Sequence, residues 1–146
     1  MTSNGRVVPR IITGVDGSAT SSRALAWALG QAEATGAIVE AVIAWDIPAS
    51  YGFGPTAVDG EDLAGAAERL LAGVIAQVSA GHPDVAVQAT VLRGHPAAVL
   101  VDQAKDADLL VVGSHGHGGF VGALLGSVSQ RCVQHASCPV VVVRAD

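Results

Sequence analysis

At 146 residues the chain is the size of one domain, read as a single unit over 1–146 with a short polar tail over 1–6, and it leaves no room for a second. Half of the residues are hydrophobic but only 3% are aromatic, so Val, Ile, Leu and Ala must fill the core, as in sheets covered by helices on both faces. Eight Lys/Arg against thirteen Asp/Glu give a formal charge of −5 with no basic run, which argues against nucleic acid and anionic membrane as partners.

Met1 to Arg6 lacks the apolar core and cleavage site of a signal peptide. No apolar stretch approaches the roughly 20 residues of a membrane helix, so a cytoplasmic location is expected. Val7 to Asp16 reads as a first strand running into Gly17-Ser18, with Pro9 tolerable only near its beginning. Ser21 to Thr35 follows as a helix whose stripe is Ala24, Leu25, Ala28, Leu29 and Ala32, stopped by Gly36. Ile38 to Trp45 is a short, almost unbroken apolar run with β-branched residues, typical of a buried strand. Residues 46–60, rich in Pro, Gly and Ala, form a long irregular connection of the kind used as lids or binding loops.

Glu61 to Ala80 is a second amphipathic helix, with Leu63, Ala67, Leu70, Leu71, Val74 and Val78 on one side. Val85 to Leu92 alternates apolar and polar residues, which predicts an edge strand. A helix from Pro96 to Lys105 is opened by its proline. Leu109 to Val112 is wholly apolar and so central. Ser127 to His135 is a last helix, with His135 in its final turn, and Pro139 to Val143 a last strand. Cys132 and Cys138, six apart, match neither a redox Cys-x-x-Cys nor a zinc knuckle and read as small buried residues in a reducing compartment. Strict alternation of strand and helix calls for a doubly wound α/β fold: a five-stranded parallel sheet with helices on both faces.

In such sheets a ligand sits beyond the carboxyl ends of the strands, where the strand order reverses. Two strand ends stand out: Val15-Asp16-Gly17-Ser18, and Gly113-Ser114-His115-Gly116-His117-Gly118-Gly119 leading to Gly126-Ser127. Glycines at 113 and 116 allow positive φ and close approach of a ligand, successive N–H groups form an anion nest, and a helix opening at Gly126-Ser127 adds its dipole. The hydroxyls of Ser127 and Ser129 are further donors. There is no Walker P-loop and no Gly-x-Gly-x-x-Gly after the first strand. His115 and His117 lack a third ligand for a metal, and Ser114 does not sit in a nucleophile elbow. No catalytic set is evident.

Gly113-x2-Gly116-x9-Gly126-Ser127 resembles the phosphate- and ribose-binding signature of ATP-binding universal stress proteins. Val112 to Gly116, Leu124 to Ser129, Val15 to Ser18 and Cys138 to Val143 are also typical of that family, and the similarity runs from about Pro9 to Arg144. The resemblance implies the strand order 3-2-1-4-5, the arrangement of the adenine nucleotide alpha hydrolase-like folds. It also implies a homodimer through Val140 to Val143, and ATP as ligand, with Mg²⁺ as a possible companion. It places Asp16 near ribose and adenine with Gly14 and Val15 beside it. Trp45 falls at an adenine contact, and Val112, Gly113, His115, Gly116, Gly126, Ser127, Val128 and Ser129 fall on the ribose and phosphate loop. Trp45 stands where a small aliphatic residue is expected, so it either stacks on adenine, fills the pocket, or caps the core at the sheet edge. Asp16 alternatively caps the first helix, and Arg93, before Gly94 at a strand end on the same side as the site, is a candidate phosphate contact. The expected function is a dimeric ATP-binding sensor of stress; a slow ATPase, a nucleotide-free interaction protein and a binder of another adenine nucleotide such as cAMP are the alternatives.

Overall fold

The computed structural model describes residues 8–47, 60–116 and 125–145. The tail over 1–6, most of the 46–60 connection and the middle of the glycine-rich segment (117–124) lie outside the described residues. The elements alternate as β1 (Arg10–Gly14), α1 (Ala19–Thr35), β2 (Ile38–Trp45), α2 (Gly60–Ser79), β3 (Val87–Arg93), α3 (Pro96–Gln103), β4 (Leu109–Gly113), α4 (Ser127–His135) and β5 (Val140–Val143). All four pairings are parallel and the order is β3-β2-β1-β4-β5, as expected. Parallel neighbours need a crossover, and each helix supplies one. Because the chain builds outward from β1 and then returns to its other side, α1 and α2 cover one face and α3 and α4 the other.

Side-chain alternation along each strand splits the core in two. Ile11, Val15, Val39, Ala41 and Ile43 pack under α1 and α2, while Ile12, Val42, Leu110 and Val112 pack under α3 and α4. The stripe read for α1 is buried in full; Ser18 caps its start, and Gly36, at φ 76°, ends it in the left-handed region. α2 departs from its reading. Only Ala67 and Leu71 are buried and Leu70 is exposed, because α2 lies over β2 and the edge strand β3, where its outer flank overhangs solvent. β1 starts at Arg10, with Val8 and Pro9 ahead of it, and β3 runs one residue further than read, to Arg93.

The apolar run of β2 hides a charge. Glu40 points to the α3 side and is buried. Its carboxylate accepts from Arg10 Nε and Nη2 (3.3 and 3.2 Å), Thr90 Oγ1 (2.6 Å) and Gln103 Nε2 (3.1 Å). Arg10 also donates to the Gln103 carbonyl (3.0 Å). The network ties β1, β2, β3 and α3 together at the amino end of the sheet, opposite the cavity described below. A buried carboxylate is tolerated only with this degree of satisfaction.

Thr13, between Ile11 and Val15 under α1, is fully buried, and its Oγ1 has no hydrogen-bond partner among the described residues. The near-isosteric Thr13→Val is expected to raise stability by about 1 kcal/mol and Tm by about 3 °C in thermal unfolding. Burial pushes the Cys132 thiol up from 9.0 to about 11. In the unfolded chain the thiol ionises near its ordinary value while the folded protein keeps the proton. Stability is therefore expected to fall as pH rises from about 9 to about 11, and Cys132→Ala to flatten that slope in urea titrations.

Candidate functional site

A cavity of about 560 Å³ opens at the carboxyl ends of β1, β2 and β4, where the strand order turns about β1. Gly14, Val15 and Asp16 reach it from β1, Val42 and Ala44 from β2, and Val112 to Gly116 from β4. Pro96 and Leu100 of α3 and Ser127 to Gln130 of α4 close its far wall.

Asp16 lines the cavity and also supports the start of α1. Its Oδ1 accepts from the Ser18 N–H (2.9 Å) and hydroxyl (2.6 Å), and Ser18 Oγ in turn accepts from the Ser21 N–H (3.2 Å). Ser18 is thus the cap of α1, and Asp16 braces that cap while lining the cavity. Gly17 between them sits at φ 86°, a turn that a side chain would strain.

Gly113, Gly116 and Gly126 serve close approach rather than unusual torsions. Gly113 and Gly116 do not use the positive φ open to them; the glycines with positive φ among the described residues are Gly17, Gly36 and Gly94. A Cβ on Gly116 would collide with Asp16 Oδ2, and one on Gly113 would lie 2.7 Å from Thr20 Cγ2 and 3.1 Å from the Thr20 carbonyl carbon. A Cβ on Gly126 would come 3.2 Å from the Ser114 carbonyl oxygen. These positions are small because β1, β4 and the starts of α1 and α4 converge on one point.

Ser114 joins the two ends of the glycine-rich segment. Its carbonyl accepts from the Gly126 N–H (2.6 Å) and the Ser129 hydroxyl (2.9 Å). Ser129 is buried and also lies 3.1 Å from the Gly126 carbonyl, so its hydroxyl closes the loop instead of facing a ligand. Ser127 is exposed at the cavity. Ser114 Oγ and His115 Nδ1 are 3.2 Å apart, and His115 Nε2 is buried with no partner among the described residues.

The helix starts differ in one respect. Ser18 caps α1 and the His95 ring caps α3 by accepting from the Ala97 N–H (3.3 Å), but Gly126 gives α4 no side-chain cap. Among the described residues the first N–H groups of α4 therefore have no side-chain acceptor, and they lie at the cavity wall. No Lys or Arg lines the cavity among the described residues.

Residues 8–144 match the universal stress protein family, more than nine-tenths of the chain. The chain belongs to that family. A universal stress protein of Mycolicibacterium smegmatis is 44% identical over 138 residues, covering 92% of this chain and 45% of the relative. The chain thus spans less than half the length of the curated relatives it matches. Among solved structures, the universal stress protein UspA from Lactobacillus plantarum superposes with a TM-score of 0.79 at 24% identity, covering 96% of this chain and all of that one. A universal stress protein in complex with cAMP gives a TM-score of 0.70 at 25% identity, covering 97% of this chain and all of that one.

Within this universal stress protein, eleven of the twelve residues singled out as nucleotide contacts line one cavity: Gly14, Val15, Asp16, Val112, Gly113, His115, Gly116, Gly126, Ser127, Val128 and Ser129. Trp45 does not. It packs against the α1–α2 core beside Gly60, under the Arg93 guanidinium at 5.7 Å. Neighbours on a strand face opposite sides, so at the end of β2 it is Ala44 that lines the cavity among the described residues. Arg93 is held away as well, pairing with Asp46 (3.1 Å), whose carboxyl is kept below its usual range by the Ile47 N–H and then by Arg93. Val42, Ala44, Pro96 and Leu100 were missed as lining. Strand parity places the first two on the face of β2 opposite Val39. The α3 pair depends on how that helix lies across the sheet.

Gly116→Ala is expected to push the Asp16 carboxylate off its Ser18 contacts and lower Tm by several degrees, whereas Gly73→Ala, with open space at its Cβ, leaves Tm unchanged or higher. Differential scanning calorimetry of the two variants checks this.

Proposed function

We propose that this universal stress protein binds an adenine nucleotide, ATP in the first instance, and acts as a homodimeric regulator of the cytoplasmic stress response rather than as a fast enzyme. The uncapped start of α4 at the cavity wall is the observation that carries the reading. Helix N–H groups without side-chain acceptors attract an anion, and the helix dipole favours it. The N–H groups of Ser127, Val128 and Ser129 with the Ser127 hydroxyl would take phosphate oxygens. Val42, Ala44 and Leu100 offer an apolar wall for the base, and the Asp16 carboxylate an acceptor for ribose hydroxyls. A volume of about 560 Å³ is within the usual size of a small-molecule site. The relative solved with cAMP supports an adenine nucleotide as the ligand class. Mg²⁺ would come with the phosphates, since Asp16 is the one carboxylate lining the cavity among the described residues.

Asp16 and His115 are the titratable side chains of that lining, a small set for nucleotide hydrolysis, which needs a metal and a group that orients water. Dimerisation through β5 fits an edge strand of four valines, all half-buried, which would otherwise offer unpaired backbone to solvent.

Calorimetric titration with ATP and cAMP, together with chromatography of nucleotide released on denaturation, tests the reading. Ser127→Pro is the informative variant. Proline suits the first helical position, and Gly126 before it is already extended (φ −78°, ψ 173°), so the fold should be kept while one N–H and one hydroxyl are lost. ATP affinity is expected to fall roughly 10- to 100-fold. Unchanged affinity in Ser127→Pro would show that phosphate does not sit on α4. No binding and no released nucleotide in the wild type would overturn the proposal in favour of a nucleotide-free interaction protein. Multiple turnover lost in Asp16→Ala would make the protein an ATPase.

A further inference from the structure

The two helices that wall the cavity also share a groove on their outer side. α3 lays Ala97, Ala98 and Val101 along its floor, and α4 sets Arg131 and His135 on its rim, four residues apart and so on one helix face. Asp102 and Lys105 complete the rim. The space is about 300 Å³, room for one or two aliphatic side chains. Ala97 is buried and Val101 packs on the second core, so the floor is apolar and held from beneath. None of these residues lines the cavity at the carboxyl ends of the strands, so the groove is a separate surface.

The rim is cationic. Lys105 Nζ lies 3.1 Å from Asp102 Oδ1, so those two charges offset each other. Arg131 is in no ion pair among the described residues, and its exposed guanidinium stands one turn from the exposed His135 ring. This local charge sits on a chain whose formal charge is −5. A long polyanion would meet net repulsion over most of the surface and gain nothing from an apolar floor. A short segment with an aliphatic side chain between carboxylates would match both.

We propose that the α3–α4 groove docks an acidic amphipathic segment of a partner protein, with an aliphatic side chain on the Ala97–Val101 floor and carboxylates on Arg131 and His135. Titrating the ¹⁵N-labelled full chain with a ten-residue peptide of Glu and Leu, Leu spaced three and four apart, tests it. Amide shifts are expected within 97–105 and 128–136, reversed by added salt. The exposed pair Arg131→Glu with His135→Gln should weaken the response at least tenfold while circular dichroism and Tm stay unchanged, and Val101→Gln should weaken it with the charges intact. The proposal is overturned by no shift at low salt up to millimolar peptide, or by an equal response to a Lys/Leu peptide. It is also overturned if a short RNA shifts the same amides at lower concentration, or if charge reversal has no effect. Shifts that depend on protein concentration without peptide would assign the groove to a second copy of this chain instead.

Discussion

β1 pairs with β2 on one side and with β4 on the other, and the rest of the molecule is arranged around that reversal. Two crossovers carry the chain outward to β3, and a third returns it past β1 to β4. Connections leaving β1 and β4 therefore diverge to opposite faces, α1 to one and α4 to the other. A crevice is left between Asp16 and Ser114, and the cavity occupies it. The crowding at this point accounts for the glycines, since two strand ends and two helix starts meet within contact distance.

Electrostatics at the two ends of the sheet follow opposite logics. At the amino end, Glu40 is buried but held by Arg10, Thr90 and Gln103, a closed set that fixes three strands and α3. At the carboxyl end the polar groups are divided. Asp16 and Ser18 satisfy the start of α1, and Ser114 and Ser129 close the glycine-rich segment, whereas the start of α4 has no side-chain cap. Anion affinity here would come from backbone dipoles rather than from Lys or Arg, which suits an acidic chain. Such a site gives less long-range attraction than a cationic one, and its selectivity rests on shape and hydrogen-bond direction.

Much of the fold was legible in the residues. Apolar runs and amphipathic stripes located every strand and helix, and Gly36 and Pro96 marked a stop and a start. The α2 stripe was read too generously because periodicity tells which residues share a face but not how far the sheet beneath it extends. The site was legible to the extent that its residues cluster in sequence at two strand ends. Trp45 was misplaced by one residue because its position at the end of β2 was recognised but its side of the strand was not. Glu40 passed unnoticed within an apolar run, since its partners come from three other elements, from Arg10 to Gln103.

The sequence by itself determined the element order, the parallel sheet, the family and the loops that form the site, because these depend on local periodicity and short motifs. Tertiary structure alone decided the use of each polar group: Ser129 in closing the loop, Asp16 in bracing a cap, Ala44 in place of Trp45 at the cavity wall. It likewise decided that Gly113, Gly116 and Gly126 are required by contact and not by torsion. The physical reason is that a hydrogen-bonding group is defined by its nearest partner in space. For these residues, that partner or clashing neighbour is supplied by a strand or helix end that the chain reaches only after a crossover.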